Sequence, residues 1–165
     1  MKLETLLVPL DGSSLAEAAL PKATEFAEGF GARVILLRAA EAHTFPGIDP
    51  IEAQVKVVRE AEEYLAEIEH RLSSSGLKEV RSSVWYGPAA YAIVEAAKLY
   101  NADLIVMTTH GRGGLGRLIM GSVAESVLRG TTTPVLLIRV AGAPVEPPIE
   151  KGIAHPWEPS SGRRV

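Results

Sequence analysis

Residues 103–125 read DLIVMTTHGRGGLGRLIMGSVAE. An apolar run at 103–109 passes into a loop that carries five glycines: Gly111, Gly113, Gly114, Gly116 and Gly121. The loop ends where Ser122 and Glu125 stand at capping-box spacing and a helical pattern begins. An apolar run of that length, bounded by turn residues, is a buried strand. The segment is therefore strand, glycine loop, helix, and that order matters more than the glycines themselves. A helix N-terminus offers unpaired N–H groups and a partial positive charge to an anion. Glycine lets the backbone approach phosphate oxygens with no Cβ in the way. Arg112 and Arg117 add positive charge, and Ser122 adds a hydroxyl beside the first helical amides.

Outward from this segment the chain keeps alternating. Residues 5–10 (TLLVPL) form a first strand that ends at Asp11-Gly12. Ser14 and Glu17 make a capping box for an Ala-rich helix reaching residue 28, which Gly29 and Gly31 end. Residues 33–40 (RVILLRAA) are a second buried strand. Asp49 suits an N-cap, Pro50 the first turn and Glu52 the reciprocal cap of a second helix. Ile51, Val55, Val58, Leu65, Ile68 and Leu72 share one face of it, a stripe that reads as core packing. Glu60, Glu62, Glu63, Glu67 and Glu69 read as its solvated face. Residues 80–86 alternate as a strand at or near a sheet edge, Gly87-Pro88 turns into a third helix, and Asn101 suits a left-handed cap after it. Downstream of the glycine loop, residues 134–140 (PVLLIRV) are the fifth strand.

Five strands alternating with four helices imply an α/β fold with a parallel sheet covered on both faces by right-handed crossovers. Ligands of such sheets sit outside the carboxyl ends of strands, where the strand order reverses. The segments 9–13, 39–42, 86–88 and 108–122 are therefore the ones to search for a site.

The 165 residues fit one domain, 1–140, followed by a tail, 141–165, that holds five of the eleven prolines and reads as extended or disordered. Hydrophobic residues make up 47% and charged residues 22%, with a net charge of −3, the profile of a soluble globular protein. It argues against a dedicated nucleic-acid binder, which shows a basic excess. The absence of cysteine excludes disulfides and thiolate metal sites. The N-terminus has no apolar signal region, and the apolar runs are too short to span a bilayer, so a cytoplasmic location is expected.

Two phosphate motifs nearly fit the glycine loop. Gly111-Arg-Gly113-Gly-Leu-Gly116 matches G-x-G-x-x-G, but it follows the fourth strand, and the next strand ends in Arg139-Val140 with no acidic residue for a ribose. Gly111-x4-Gly116-Arg117-Leu118 lacks the Lys and Ser/Thr of a P-loop.

The stretch Thr109-His-Gly-Arg-Gly-Gly-Leu-Gly116, then Gly121-Ser-Val-Ala-Glu125, closely resembles the universal stress protein family. So do Val8-Pro-Leu-Asp-Gly-Ser13 after the first strand and Thr133-Pro-Val-Leu136 at the last, and the resemblance runs in order over residues 3–140. It implies a Rossmann-like, doubly wound five-stranded parallel sheet of order 3-2-1-4-5, usually in dimers. ATP-binding members carry G-x2-G-x9-G-[S/T]. Gly111, Gly121 and Ser122 match it, and Thr108 stands at the first glycine position, beside the ribose, where a side chain crowds the sugar or gives it a hydroxyl partner. The resemblance further assigns Asp11, with Pro9 and Leu10, to the adenine and ribose end. It puts Ala39 against the base, Met107 beside Thr108, Arg112 in the loop, and the Val123 amide with Ser122 at the phosphates. The implied ligand is ATP with Mg²⁺, held as a regulatory or structural ligand in a stress response. A slow ATP hydrolase and a nucleotide-free scaffold are the alternatives; the loop carries no evident water-activating carboxylate and no Walker lysine.

Plainer readings stand beside these. Asp11-Gly12-Ser13 is ordinary turn chemistry, and Ser122 suits a plain N-cap. His110 has no nucleophile and carboxylate placed beside it, and His43, His70 and His155 lack metal-ligand spacing. The last strand, apolar and at an edge in the implied topology, predicts a homodimer through residues 134–140 that is able to assemble further.

Overall fold

Neighbouring residues of each central strand go to opposite sides of the sheet and into two separate cores. The computed structural model describes residues 2–42, 46–47, 49–109 and 120–140. Its strands are β1 (Thr5–Pro9), β2 (Arg33–Ala40), β3 (Val80–Tyr86), β4 (Leu104–Thr108) and β5 (Val135–Ile138). The helices are α1 (Ser14–Glu17), α2 (Leu20–Phe30), α3 (Pro50–Ser74), α4 (Ala89–Leu99) and α5 (Ser122–Gly130). Every strand pair is parallel and the order is β3-β2-β1-β4-β5, the 3-2-1-4-5 sheet that the family resemblance implies. Leu6, Val8, Val34, Leu36 and Val106 meet Leu20 and Ala23 of α2 and Leu65, Ile68 and Leu72 of α3. Leu7, Ile35, Leu37, Ile105 and Met107 meet Ile93, Ala96 and Ala97 of α4 and Ala124 and Val127 of α5. Burial on both faces explains why these strands are continuous apolar runs. At the amino end of the sheet, the Asp103 carboxylate accepts from the Glu4 and Thr5 amides at 2.8 and 3.0 Å.

Several local expectations are corrected. The helix expected over 14–28 is two helices, α1 and α2, because Pro21 has no N–H to give the Glu17 carbonyl and its ring crowds that oxygen. Ala18 and Ala19 bond back three residues instead, closing α1 with a tight turn. The cap of α1 is Ser13 rather than Ser14. At α5 the cap is Gly121 with no side-chain hydrogen bond, and Ser122 is the first helical residue, so the plain N-cap reading of Ser122 does not hold. The stripe on α3 is core packing only in part: Leu65, Ile68 and Leu72 are buried, but Ile51 is 72% and Val55 51% exposed. The reason is length. Twenty-five helical residues span about 37 Å, whereas the seven residues of β3 span about 23 Å. The first turns of α3 therefore run on past the carboxyl edge of the sheet, and its burial begins at Ala61.

Candidate functional site

The ladder between β1 and β4 is shorter than its neighbours. It stops at Leu7↔Ile105, while β1 stays paired with β2 to Pro9↔Leu37 and β4 stays paired with β5 to Thr108↔Ile138. The sheet order reverses between these two strands, and the carboxyl edge at such a reversal is the position where doubly wound sheets bind ligands. We call this edge between β1 and β4 the seam.

Pro9, Leu10 and Asp11 form the β1 side. Leu10 is buried and its amide donates to the Leu37 carbonyl at 2.8 Å, holding the chain to β2 beyond the strand's end. One Asp11 carboxylate oxygen accepts from the Ser13 amide at 2.9 Å and from the Ser13 hydroxyl at 2.6 Å. The Ser13 hydroxyl oxygen in turn accepts from the Ala16 amide at 3.1 Å. Gly12 between them has φ +84°, which favours glycine. The turn chemistry expected of Asp11 is therefore present, and it fixes the carboxylate at the head of the seam.

Met107 and Thr108 form the β4 side. Strand alternation puts Pro9 and Ala39 on the α4/α5 face with Met107, and Thr108 on the α1–α3 face, where it is 6% exposed. Gly121 returns the chain to this edge: its amide donates to the Thr109 carbonyl at 2.8 Å, tying the start of α5 to the end of β4. Ser122 and Val123 follow in the first turn of α5, both exposed, after a cap residue, Gly121, that has no side chain to bond the helix. The first turn of α5, with the positive end of the helix dipole, thus lies beside the seam. The structure brings Pro9, Leu10, Asp11, Ala39, Met107, Thr108, Gly121, Ser122 and Val123 to one edge of the sheet. Gly111 and Arg112 lie outside the described residues.

Sequence reasoning missed a polar cluster on the α1–α3 side. The Tyr64 hydroxyl donates to Glu17 at 3.1 Å, Arg71 pairs with the other Glu17 oxygen at 2.6 Å, and the Arg38 guanidinium lies 5.0 Å from the centre of the Tyr64 ring. Burial, then the Glu17 and Asp11 carboxylates, hold the Tyr64 phenol above its usual ionisation range. The signal available was the seven-residue interval from Tyr64 to Arg71, two helical turns that put both on one face of α3. Among the described residues no group of three His, Cys, Asp or Glu side chains could hold a metal ion. Nor, among them, is any helix long and apolar enough to cross a membrane.

Comparison with known proteins agrees with this architecture. The model of the universal stress protein family matches residues 2–139. A universal stress protein of Methanocaldococcus jannaschii is 32% identical over 139 residues, 81% of each chain. The solved structure of the protein MJ0577 superposes with a TM-score of 0.76 at 27% identity, covering 85% of this chain and 98% of that one. Another solved universal stress protein, 23% identical with a TM-score of 0.66, is a complex with cAMP; it covers 84% of this chain and 98% of its own. One from Archaeoglobus fulgidus, 22% identical with a TM-score of 0.62, is a complex with dAMP, covering 83% of this chain and 98% of its own. With the family model matched over residues 2–139 and a family member 32% identical over 81% of the chain, this protein belongs to the universal stress protein family.

Proposed function

We propose that the protein binds an adenine nucleotide, ATP with Mg²⁺, at the carboxyl ends of β1 and β4, and that it uses the nucleotide as a regulatory or structural ligand in a stress response. The observation that carries this reading is the reversal of strand order at the seam, flanked by the Asp11 turn on one side and the glycine-capped start of α5 on the other. The two ends differ in chemistry as the two ends of a nucleotide do. Asp11 offers a carboxylate acceptor for sugar or base donors, and the α5 amides offer donors to phosphate oxygens. Adenine nucleotides in two proteins of the same fold support the choice of base. Gly111 and Arg112 belong to the same reading through the glycine loop. Mg²⁺ enters with the phosphates, in keeping with its preference for one or two carboxylates plus phosphate oxygens over an all-protein cage.

The reading includes assembly. Among the described residues β5 is a sheet edge, and Val135, Leu136, Leu137 and Ile138 are all only half-buried, so the outer backbone groups of an apolar strand pair with no described strand. Antiparallel pairing with a second copy across residues 134–140 covers them and gives a homodimer.

The test is thermal unfolding of nucleotide-free protein with and without ATP and Mg²⁺. A ligand at 100 times its dissociation constant stabilises the native state by about 2.7 kcal/mol. A clear rise in Tm is expected; an unchanged Tm at millimolar ATP would leave a scaffold that works through protein contacts alone.

A further inference from the structure

We infer that Glu17 is a positioning residue for the site, through which α3 holds the Asp11 turn in place. The route is a continuous run of hydrogen bonds. The Tyr64 hydroxyl and the Arg71 guanidinium, both on α3, donate to the two carboxylate oxygens of Glu17 at 3.1 and 2.6 Å. The Glu17 amide donates to the Ser13 carbonyl at 3.2 Å. The Ser13 hydroxyl accepts from the Ala16 amide and donates to Asp11, and the Ser13 amide donates to the same Asp11 oxygen. Ser13 is thus bonded to the residue that α3 grips, and Ser13 in turn holds the carboxylate at the head of the seam.

α1 needs such a hold. It is a single turn of four residues, and nucleating one helical turn is unfavourable by itself. Pro21 keeps it from running on into α2, and Ala16 is its one buried side chain. The anchor on the far side is firm. Tyr64 packs against the buried cluster of the α1–α3 face, and the Arg38 guanidinium lies 5.0 Å from its ring centre. Two donors on the two oxygens of one carboxylate fix its direction as a single donor does not. The Glu17 side chain is 25% and the Arg71 side chain 53% exposed, so the ion pair supplies direction more than energy. The contacts join residues 47 and 54 positions apart, so the placing of the turn is set by α3 as well as by the turn's own sequence.

The hold on the turn does not depend on the adenine-nucleotide reading, but its consequence for affinity rests on it. Three variants are compared with the wild type: Glu17→Ala, Glu17→Gln, and the double variant Tyr64→Phe with Arg71→Met. The first readout is the amide chemical shifts of Ser13 and Ala16 in nucleotide-free, folded protein. In Glu17→Ala and in the double variant both shifts are expected to move toward their unfolded values, because the placed turn is less populated. The second is the dissociation constant for ATP with Mg²⁺. Apparent affinity falls with the fraction of protein whose turn is in place, about fivefold for a hold worth one ordinary net hydrogen bond. Glu17→Gln keeps both contacts, its carbonyl accepting from Arg71 and its amide donating to the Tyr64 oxygen, and is expected to restore the wild-type shifts and constant. Unmoved shifts in Glu17→Ala overturn the inference. Moved shifts with an unchanged dissociation constant also overturn it and leave Glu17 a residue of the fold alone. A loss of affinity in Glu17→Ala that the double variant does not share overturns the route through α3. If the wild type binds no adenine nucleotide, the proposed function fails, and the shifts still decide whether α3 holds the turn through Glu17.

Discussion

Replacing Gly121 with valine separates the ligand's demands from those of the fold. Gly121 has φ −58° and ψ 144°, an extended conformation open to any residue, so the backbone does not require glycine there. As the α5 cap it contributes no side-chain bond, and valine in its place costs about 1 kcal/mol of capping preference. The reduced freedom of the unfolded chain offsets about 0.4–1 kcal/mol of this. Stability should therefore change by less than about 1 kcal/mol, or about 2–4 °C in Tm for a chain of this size. Binding is another matter. A phosphate seated on the first turn of α5 gains about 1.5–3 kcal/mol from each charge-assisted amide bond and about 0.3–1 kcal/mol from the helix dipole. The two added methyl groups stand where the phosphate would approach, and losing one amide bond with part of the dipole term costs about 3 kcal/mol, or about a hundredfold in affinity. Calorimetric titration with ATP and Mg²⁺, beside scanning calorimetry of both proteins, measures the two effects separately. An unchanged dissociation constant would remove the start of α5 from the site. A fall in Tm of more than about 10 °C would mean that the glycine serves the fold.

Asp11→Ala removes the acceptor of two Ser13 bonds, so it should cost about 1–2 kcal/mol of stability in urea unfolding and also weaken nucleotide binding; a stability loss with intact affinity would leave Asp11 as a turn residue only. The raised ionisation range of Tyr64 has a definite sign. An unfolded phenol ionises near pH 10 while the folded one keeps its proton, so the stability Tyr64 contributes is intact below about pH 10 and falls as pH rises past it. Tyr64→Phe should cost about 1 kcal/mol at neutral pH and flatten the alkaline fall, as followed by urea midpoints from pH 8 to 11. On β5, the Pro134 and Ile138 carbonyls face β4, so the Val135 amide faces the open edge. Val135→Pro should therefore keep the ladder to β4, retain the circular dichroism spectrum and give a monomer by light scattering; a folded dimer would place the interface elsewhere.

The five strands were legible because each is a short apolar run closed by turn residues, and the alternation with helices then left little choice of architecture. The strand order came with the family resemblance, since periodicity cannot say which strands are neighbours. The break at Pro21 was hidden by an Ala-rich context that favours helix on both sides, although proline cannot supply the amide that a continuous helix needs at that point. The exposure of Ile51 and Val55 was hidden for a different reason: helical spacing reports a face, but not where the sheet beneath it ends. At the site, Asp11 was visible as a turn residue after a strand, and Gly121 as the glycine that ends the loop where a helix begins. Tyr64, Arg38 and Glu17 were not, because their contact joins three elements that are far apart in the chain.

The sheet that divides the two cores also divides the protein's options for change. Leu36 and Leu37 are neighbours in sequence, but Leu36 packs with Leu65 and Ile68, while Leu37 packs with Ile93 and Val127. Volume lost at Leu36 can be refilled only from the α1–α3 side, and volume lost at Leu37 only from α4 and α5. Substitutions within one face should show strong coupling in double-mutant cycles, and substitutions across the sheet should add. Relatives can therefore drift in two compartments, each accumulating its own compensating pairs.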